Sequence, residues 1–154
     1  MAVHTIKTIQ KIPASKEAIW DFISSPKNLK EITPEYMGFE IKGDLPEKMY
    51  PGMMIQYKLS PLLGIKMTWV TEITHVQMGE YFVDEQRVGP YKMWHHQHHI
   101  KEIPGGVLME DIIDYQAPLG FLGDIANILI IKKQLAEIFE YRRIALENRF
   151  GIFK

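Results

Sequence analysis

Four of the six histidines in this 154-residue chain fall in a single run, Trp94-His95-His96-Gln97-His98-His99. Histidine changes charge closest to neutral pH, and its neutral ring is a common metal ligand. Three chemistries are therefore open to the run: acid–base catalysis, ligation of a divalent ion, and hydrogen-bonding anchorage of a bound molecule. The chain has no cysteine, which removes thiolate zinc sites, disulfides and a cysteine nucleophile. Ser24, Ser25 and Ser60 fall near turns or helix caps, so no serine nucleophile is evident either.

Which histidines can act together depends on the strand they occupy, because alternate side chains leave opposite faces. Trp94, His96, His98 and Ile100 share one face; Met93, His95, Gln97, His99 and Lys101 share the other. The first set carries Trp94 and Ile100 and is the expected inner face. On the following strand the same reasoning turns Met109, Asp111, Ile113 and Tyr115 inward, and earlier Met67, Trp69, Thr71 and Ile73, with Ile55, Tyr57 and Leu59 beside them. His96, His98 and Asp111 then meet on neighbouring strands. The plainest role for them is a buried hydrogen-bonded group, since an unpaired buried polar atom costs about 1–3 kcal/mol. They could also orient a ligand's polar atom in an apolar pocket, or, with His96 as base and Asp111 selecting its tautomer, move a proton. Metal ligation by His96 and His98 with Asp111 as third ligand is conceivable. No His-Glu-x-x-His string or loop of carboxylates supports it, so neither metal nor cofactor is expected.

Two further polar groups stand in apolar surroundings. Asp84 shares its parity with Phe82, Gln86 and Val88, and either balances an inward cation or histidine or sits at a solvated sheet margin. Arg142 in Tyr141-Arg142-Arg143 is expected to reach sheet carboxylates as a structural ion pair rather than a ligand clamp.

The elements that must position these residues are readable from turn chemistry and period. Residues 3–12 are rich in β-branched side chains and stop at Pro13, a strand. Ser15 and Ser25-Pro26 open short helices over 16–23 and about 26–32. Segments 36–42, 53–60, 65–76, 80–88, 91–103 and 107–116 are strand-like and separated by glycine- and proline-rich breaks, connections short enough to demand antiparallel neighbours. Apolar positions from Ile125 to Ala145 then recur every three or four residues, which predicts a helix from about Gly123 to Arg149. The result is an α+β plan: a curved antiparallel sheet of seven strands, two short helices after the first, and a long last helix packed across the sheet. The near-continuously apolar segment 119–131, with Phe121 and Leu122 between glycines, could gate a pocket or form a homodimer surface.

Composition narrows the function. Apolar residues make up 46% and charged residues 24%, with a net charge of −1. Nothing global attracts nucleic acid or an anionic membrane. The longest aliphatic stretch, Ile128–Ile131, is far short of a span of roughly 20 residues, so no integral membrane segment is expected. No secretory signal is visible, which makes the cytoplasm the expected location. No repeat or linker divides residues 1–154, expected to form one domain.

Several strings, in order, resemble the START-like helix-grip superfamily, also called SRPBCC or polyketide cyclase-like. They are Phe82-Val83-Asp84-Glu85-Gln86, Gly89-Pro90-Tyr91 leading to Trp94-x-His96-x-His98, Asp111 with Tyr115, Pro118-Leu119-Gly120, and Gln134-Leu135-x-x-Ile138-Phe139-x-Tyr141-Arg142. The likeness covers essentially the whole chain and is nearest to small bacterial ligand-binding members. It implies a cavity between sheet and C-terminal helix for a small hydrophobic or amphipathic molecule, carried or sensed. Residues expected to line it are Tyr57, Trp69, Trp94, His96, His98, Asp111, Tyr115, Leu135 and Phe139. An alternative is a cyclase, dehydratase or isomerase on the same cavity using His96 and Asp111. A third is a non-catalytic partner-binding module whose cavity has collapsed. With inward histidines, binding is expected to change sharply between about pH 5.5 and 7.5.

Overall fold

The computed structural model describes residues 2–62, 64–118, 125 and 130–154. Strand β1 (His4–Ile12) leads into helix α1 (Lys16–Ile23). Ser15 caps this helix by accepting the Ala18 amide at 3.2 Å, as a side-chain oxygen before a first turn should. Its buried positions Ile19, Trp20, Phe22 and Ile23 form one stripe. Two 3-10 turns follow, at Pro26–Lys30 and Glu35–Met37, and then strands β2 (Glu40–Lys42), β3 (Met53–Leu62), β4 (Ile65–Gln77), β5 (Tyr81–Val88), β6 (Met93–Ile103) and β7 (Gly106–Gln116). Helix α2 (Lys132–Phe150) ends the fold.

The strands form one antiparallel sheet in the order β1-β7-β6-β5-β4-β3-β2. The first strand therefore pairs with the last, and the intervening strands run as a meander. Register shifts interrupt β3–β4 and β4–β5, and such irregularities bend a sheet. Helix α2 lays Leu135, Arg142 and Leu146 against the sheet, with Ile138, Phe139 and Ala145 half-buried beside them and Lys132, Lys133, Glu137 and Glu140 outward. Gln10 on β1 donates to the carbonyl of Arg143 at 3.0 Å, tying sheet edge to helix. This is the helix-grip α+β fold that the sequence predicts.

Most strand ends fall within two residues of expectation, the strand expected over 91–103 starting at Met93, and larger differences lie near the N-terminal turns. The second short helix is a 3-10 turn ending at Lys30. The strand expected over 36–42 shrinks to Glu40–Lys42 because Gly38, at φ 58°, closes a 3-10 turn on Glu35–Met37 in the left-handed region, which glycine enters at little cost. Among the described residues Ile125 is helical, and the last helix runs Lys132–Phe150, preceded by a wider π-type turn at Ile130 and Ile131. Its expected start at Gly123 lies outside the described residues, as do Phe121 and Leu122 of the proposed gate. No helix among the described residues is long and apolar enough to cross a membrane.

Two apolar cores fill the space under the sheet. One gathers Ile12, Ile19, Trp20, Phe22, Ile73, Phe82, Ile100, Val107, Met109 and Leu146. The other gathers Met37, Leu59, Trp69, Tyr91, Ile113, Tyr115, Ile131 and Leu135. Along β7 the buried positions run Val107, Met109, Asp111, Ile113, Tyr115, so Asp111 stands at the seam between the two. A polar belt follows that seam.

Candidate functional site

The belt is built from three adjacent strands and the helix. Inward alternation on β6 buries His96 and His98, and on β7 it buries Asp111. Pairing sets His98 opposite Asp111 and His96 opposite Asp84 of β5. Arg142 reaches the same place from the middle of the apolar stripe of α2 and is only 8% exposed. His98 lies between two carboxylates, with Nε2 2.7 Å from Asp84 Oδ2 and Nδ1 2.9 Å from Asp111 Oδ1. His96 Nε2 is 3.1 Å from the same Asp111 oxygen, and its Nδ1 is 3.5 Å from Asp84 Oδ2. The Arg142 guanidinium lies 3.5 Å from Asp111 Oδ1 and 3.3 Å from His98 Nδ1.

Charge within the belt follows from these contacts. Burial pushes the His98 ring toward neutrality, but hydrogen bonds to Asp111 and Asp84 outweigh it and raise its pKa above the ordinary 6.5. Burial, reinforced by the charge of His98, pushes His96 down to about 4. Burial would also raise both carboxyls. Against it, Arg142 and the hydrogen bonds from His96 and His98 hold Asp111 well below the usual carboxylate range. The charge of His96, the hydrogen bond and charge of His98, and Arg142 lower Asp84. The belt thus sets two carboxylates, Asp84 and Asp111, against the Arg142 guanidinium and two imidazoles, of which His98 is the one whose charged form is favoured. Such balance is what permits burial of ions at all. The expected pH window is accordingly split: His96 titrates below it, and His98 is displaced upward.

Beside the belt, between the sheet and α2, lies a hollow of about 160 Å³. Its aromatic wall comprises Tyr57, Trp69, Tyr91 and Trp94, with Trp69 edge-on to Trp94 at 5.5 Å. Leu135, Ile138 and Phe139 of α2 form the opposite wall, Met37 and Phe39 lie toward the 3-10 turn, and Asp84, His96, His98 and Arg142 supply the polar spot. Tyr57 and the Trp69 indole are tied to the buried Thr71 hydroxyl at 2.8 and 3.1 Å, which fixes both rings. Arg142 leaves its buried Nε with no hydrogen-bond partner among the described residues.

Of the nine residues expected to line a ligand cavity, Tyr57, Trp69, Trp94, His96, His98, Leu135 and Phe139 border this hollow. Asp111 does not. It stands behind the two histidines and borders a second hollow, of about 220 Å³, between β1 and α2. Tyr115 is fully buried behind Tyr91, ring centres 5.8 Å apart. Sequence reasoning left the role of Asp84 open and omitted Tyr91 and Phe39. Tyr91 lies in the turn before β6, where strand parity does not reach. Gln86 pins it there by donating to its carbonyl at 2.6 Å and accepting its amide at 3.1 Å. The outward histidines are separate: His95 meets Glu85 at 3.0 Å and His99 meets Gln97 at 3.1 Å.

No family sequence model matches the chain, and no curated protein matches it in sequence. Solved structures do. A Chromobacterium violaceum protein matches with a TM-score of 0.72 at 14% identity, over 97% of this chain and 99% of its own. A START superfamily protein from Mycobacterium smegmatis matches at 0.68 with 20% identity, over 96% and 97%. The major latex-like protein 151 of Panax ginseng matches at 0.66 with 12% identity, over 96% and 97%. At such identities what is shared is the fold, and fold by itself does not set function.

Proposed function

We propose that this chain, which has the START-like helix-grip fold, binds a small, mainly apolar molecule bearing an acceptor or anionic oxygen. The carrying observation is a single polar spot in an aromatic hollow: Asp84, His96, His98 and Arg142 face a space otherwise lined by Tyr57, Trp69, Trp94, Leu135 and Phe139. An apolar body with one oriented polar contact is the usual design of a ligand site. The unpartnered Arg142 Nε supports an oxygen on the ligand. A cavity of about 150 Å³ accommodates benzene, so the hollow suits a body of about one ring.

The hollow favours this reading over a partner-binding module with a collapsed cavity. An enzyme using His96 and Asp111 is less well supported. A general base works best with a pKa near the operating pH, whereas His96 is pushed down to about 4, and Asp111 stands behind it rather than in the hollow.

Trp69 and Trp94 line the hollow, so indole fluorescence reports occupancy. One-ring aromatic acids and phenols are expected to give saturable quenching, and the corresponding hydrocarbons weaker binding. In chelator-treated protein Leu135→Trp, which fills the hollow, abolishes the signal, whereas His96→Gln retains affinity within a few-fold. An enzyme would instead lose turnover in His96→Gln while still binding. Absence of saturable quenching across the panel, with native mass spectra showing only bare chain, refutes the proposal.

A further inference from the structure

Binding an apolar molecule does not require two histidines and two carboxylates in one belt, and the way these four are joined is specific. His96 and His98 project from the same face of β6, ring centres 3.7 Å apart. Each turns one nitrogen to the same Asp84 oxygen, at 3.5 and 2.7 Å, and the other to the same Asp111 oxygen, at 3.1 and 2.9 Å. Asp111 Oδ1 is hydrogen-bonded to His96 Nε2 and lies 2.9 Å from His98 Nδ1, so the opposite nitrogens, His96 Nδ1 and His98 Nε2, both face Asp84. A carboxylate behind a ligating imidazole is the recurrent outer partner of metal-binding histidines, where it sets tautomer and orientation. Here one carboxylate serves two rings, and Arg142 at 3.5 Å balances its charge.

The near side has the matching dimensions. One atom each from Asp84, His96 and His98 lie within 4.8 Å of one another. Donors sharing an ion at about 2.0–2.2 Å lie roughly 3.0–3.5 Å apart, and the separations from Asp84 Oδ2 of 2.7 and 3.5 Å bracket that range.

We infer that Asp84, His96 and His98 form a mononuclear site for a divalent first-row transition ion, with Asp111 as the positioning carboxylate. All three ligands line the hollow, which leaves the remaining coordination positions to a bound molecule. The sequence-based alternative had Asp111 as third ligand; the geometry gives that place to Asp84. Two imidazoles and one carboxylate suit Zn²⁺, Fe²⁺, Co²⁺ or Ni²⁺, and not the all-oxygen shells of Ca²⁺ or Mg²⁺. With neutral rings, the ion, Asp84, Asp111 and Arg142 sum to one excess positive charge, so the completing ligand is an anionic oxygen such as a carboxylate, phenolate or enolate.

The test uses the ion alone, so its outcome is independent of organic-ligand binding. Untagged protein is stripped with chelator, dialysed and titrated with Co²⁺. One equivalent is expected to bind and to give the visible d–d bands of a four- or five-coordinate ion, displaceable by Zn²⁺. His98→Gln and Asp84→Asn lose the bands. Asp111→Asn keeps them but weakens affinity about 10–100-fold, and the outward His95→Gln/His99→Gln double variant changes nothing. Circular dichroism confirms that each variant is folded. Wild-type protein taking up well under one equivalent overturns the inference whatever the variants do. So does uptake that survives His98→Gln and Asp84→Asn but disappears in the outward double variant.

Discussion

Asp111 shows how much one buried carboxylate can hold in place. Its Oδ1 lies within 3.1 Å of a nitrogen on each of two histidines and 3.5 Å from Arg142. Asp111→Asn preserves shape but removes the charge, leaving the Arg142 guanidinium without its carboxylate in a buried place. Breaking a buried ionic group from one side costs about 3–5 kcal/mol, so this variant is expected to lose about 3 kcal/mol in urea denaturation. Glu110, one position away, pairs with Lys7 at 2.6 Å on the solvated face, where ion pairs contribute about 1 kcal/mol or less. Glu110→Gln is therefore expected to stay within about 1 kcal/mol of the parent. Similar losses for the two variants would mean that the belt carries no more energy than the surface.

Two connections between elements are under equally definite constraint. At the start of β7, a Cβ placed on Gly106 would lie 2.0 Å from the carbonyl oxygen of Ile12 at the end of β1. Backbone cannot yield there as a flexible side-chain end would, so Gly106→Ala is expected to cost about 3 kcal/mol and lower the thermal midpoint; an unchanged midpoint contradicts that close approach. Gln86→Ala removes both hydrogen bonds to Tyr91 and is expected to cost about 1–3 kcal/mol while freeing one wall of the hollow. The measurable sign is a loss of ligand affinity larger than the loss of stability.

Elements of regular period were legible in the sequence, and with them most of the site. Alternation alone placed His96, His98 and Asp111 inward and His95 and His99 outward, because a strand has no other way to arrange them. Legibility stopped where period stops. Extending the β6 alternation back to Tyr91 would turn its ring outward, but Gly89–Lys92 is a turn and Gln86 turns the residue in. Met37 sits on a 3-10 turn that local β-propensity hides. Asp84 was ambiguous because its role depends on partners from β6 and α2, a tertiary fact no local pattern contains.

At the scale of the whole molecule, the belt couples proton uptake to folding, since Asp84, His96, His98, Asp111 and Arg142 come from β5, β6, β7 and α2 and meet only when all four are docked. For His96, the folded value of about 4 lies below the unfolded 6.5. Its contribution is full above pH 6.5 and is lost as pH falls toward 4, on the order of 3 kcal/mol. Asp84 and Asp111 are lowered below 3.8, so their contribution is present above that value and disappears as pH falls through their folded values. His98 runs the other way: its folded value is raised above 6.5, and its contribution, complete below 6.5, is lost as pH rises through that raised value. The opposing signs predict a stability maximum near pH 6.5 in chelator-treated protein, measured by urea denaturation from about pH 4 to 9. His96→Gln should flatten the acidic limb between pH 6.5 and 4, and His98→Gln the alkaline limb alone. If the two variants exchanged these effects, His96 would be the ring that carries the proton between Asp84 and Asp111.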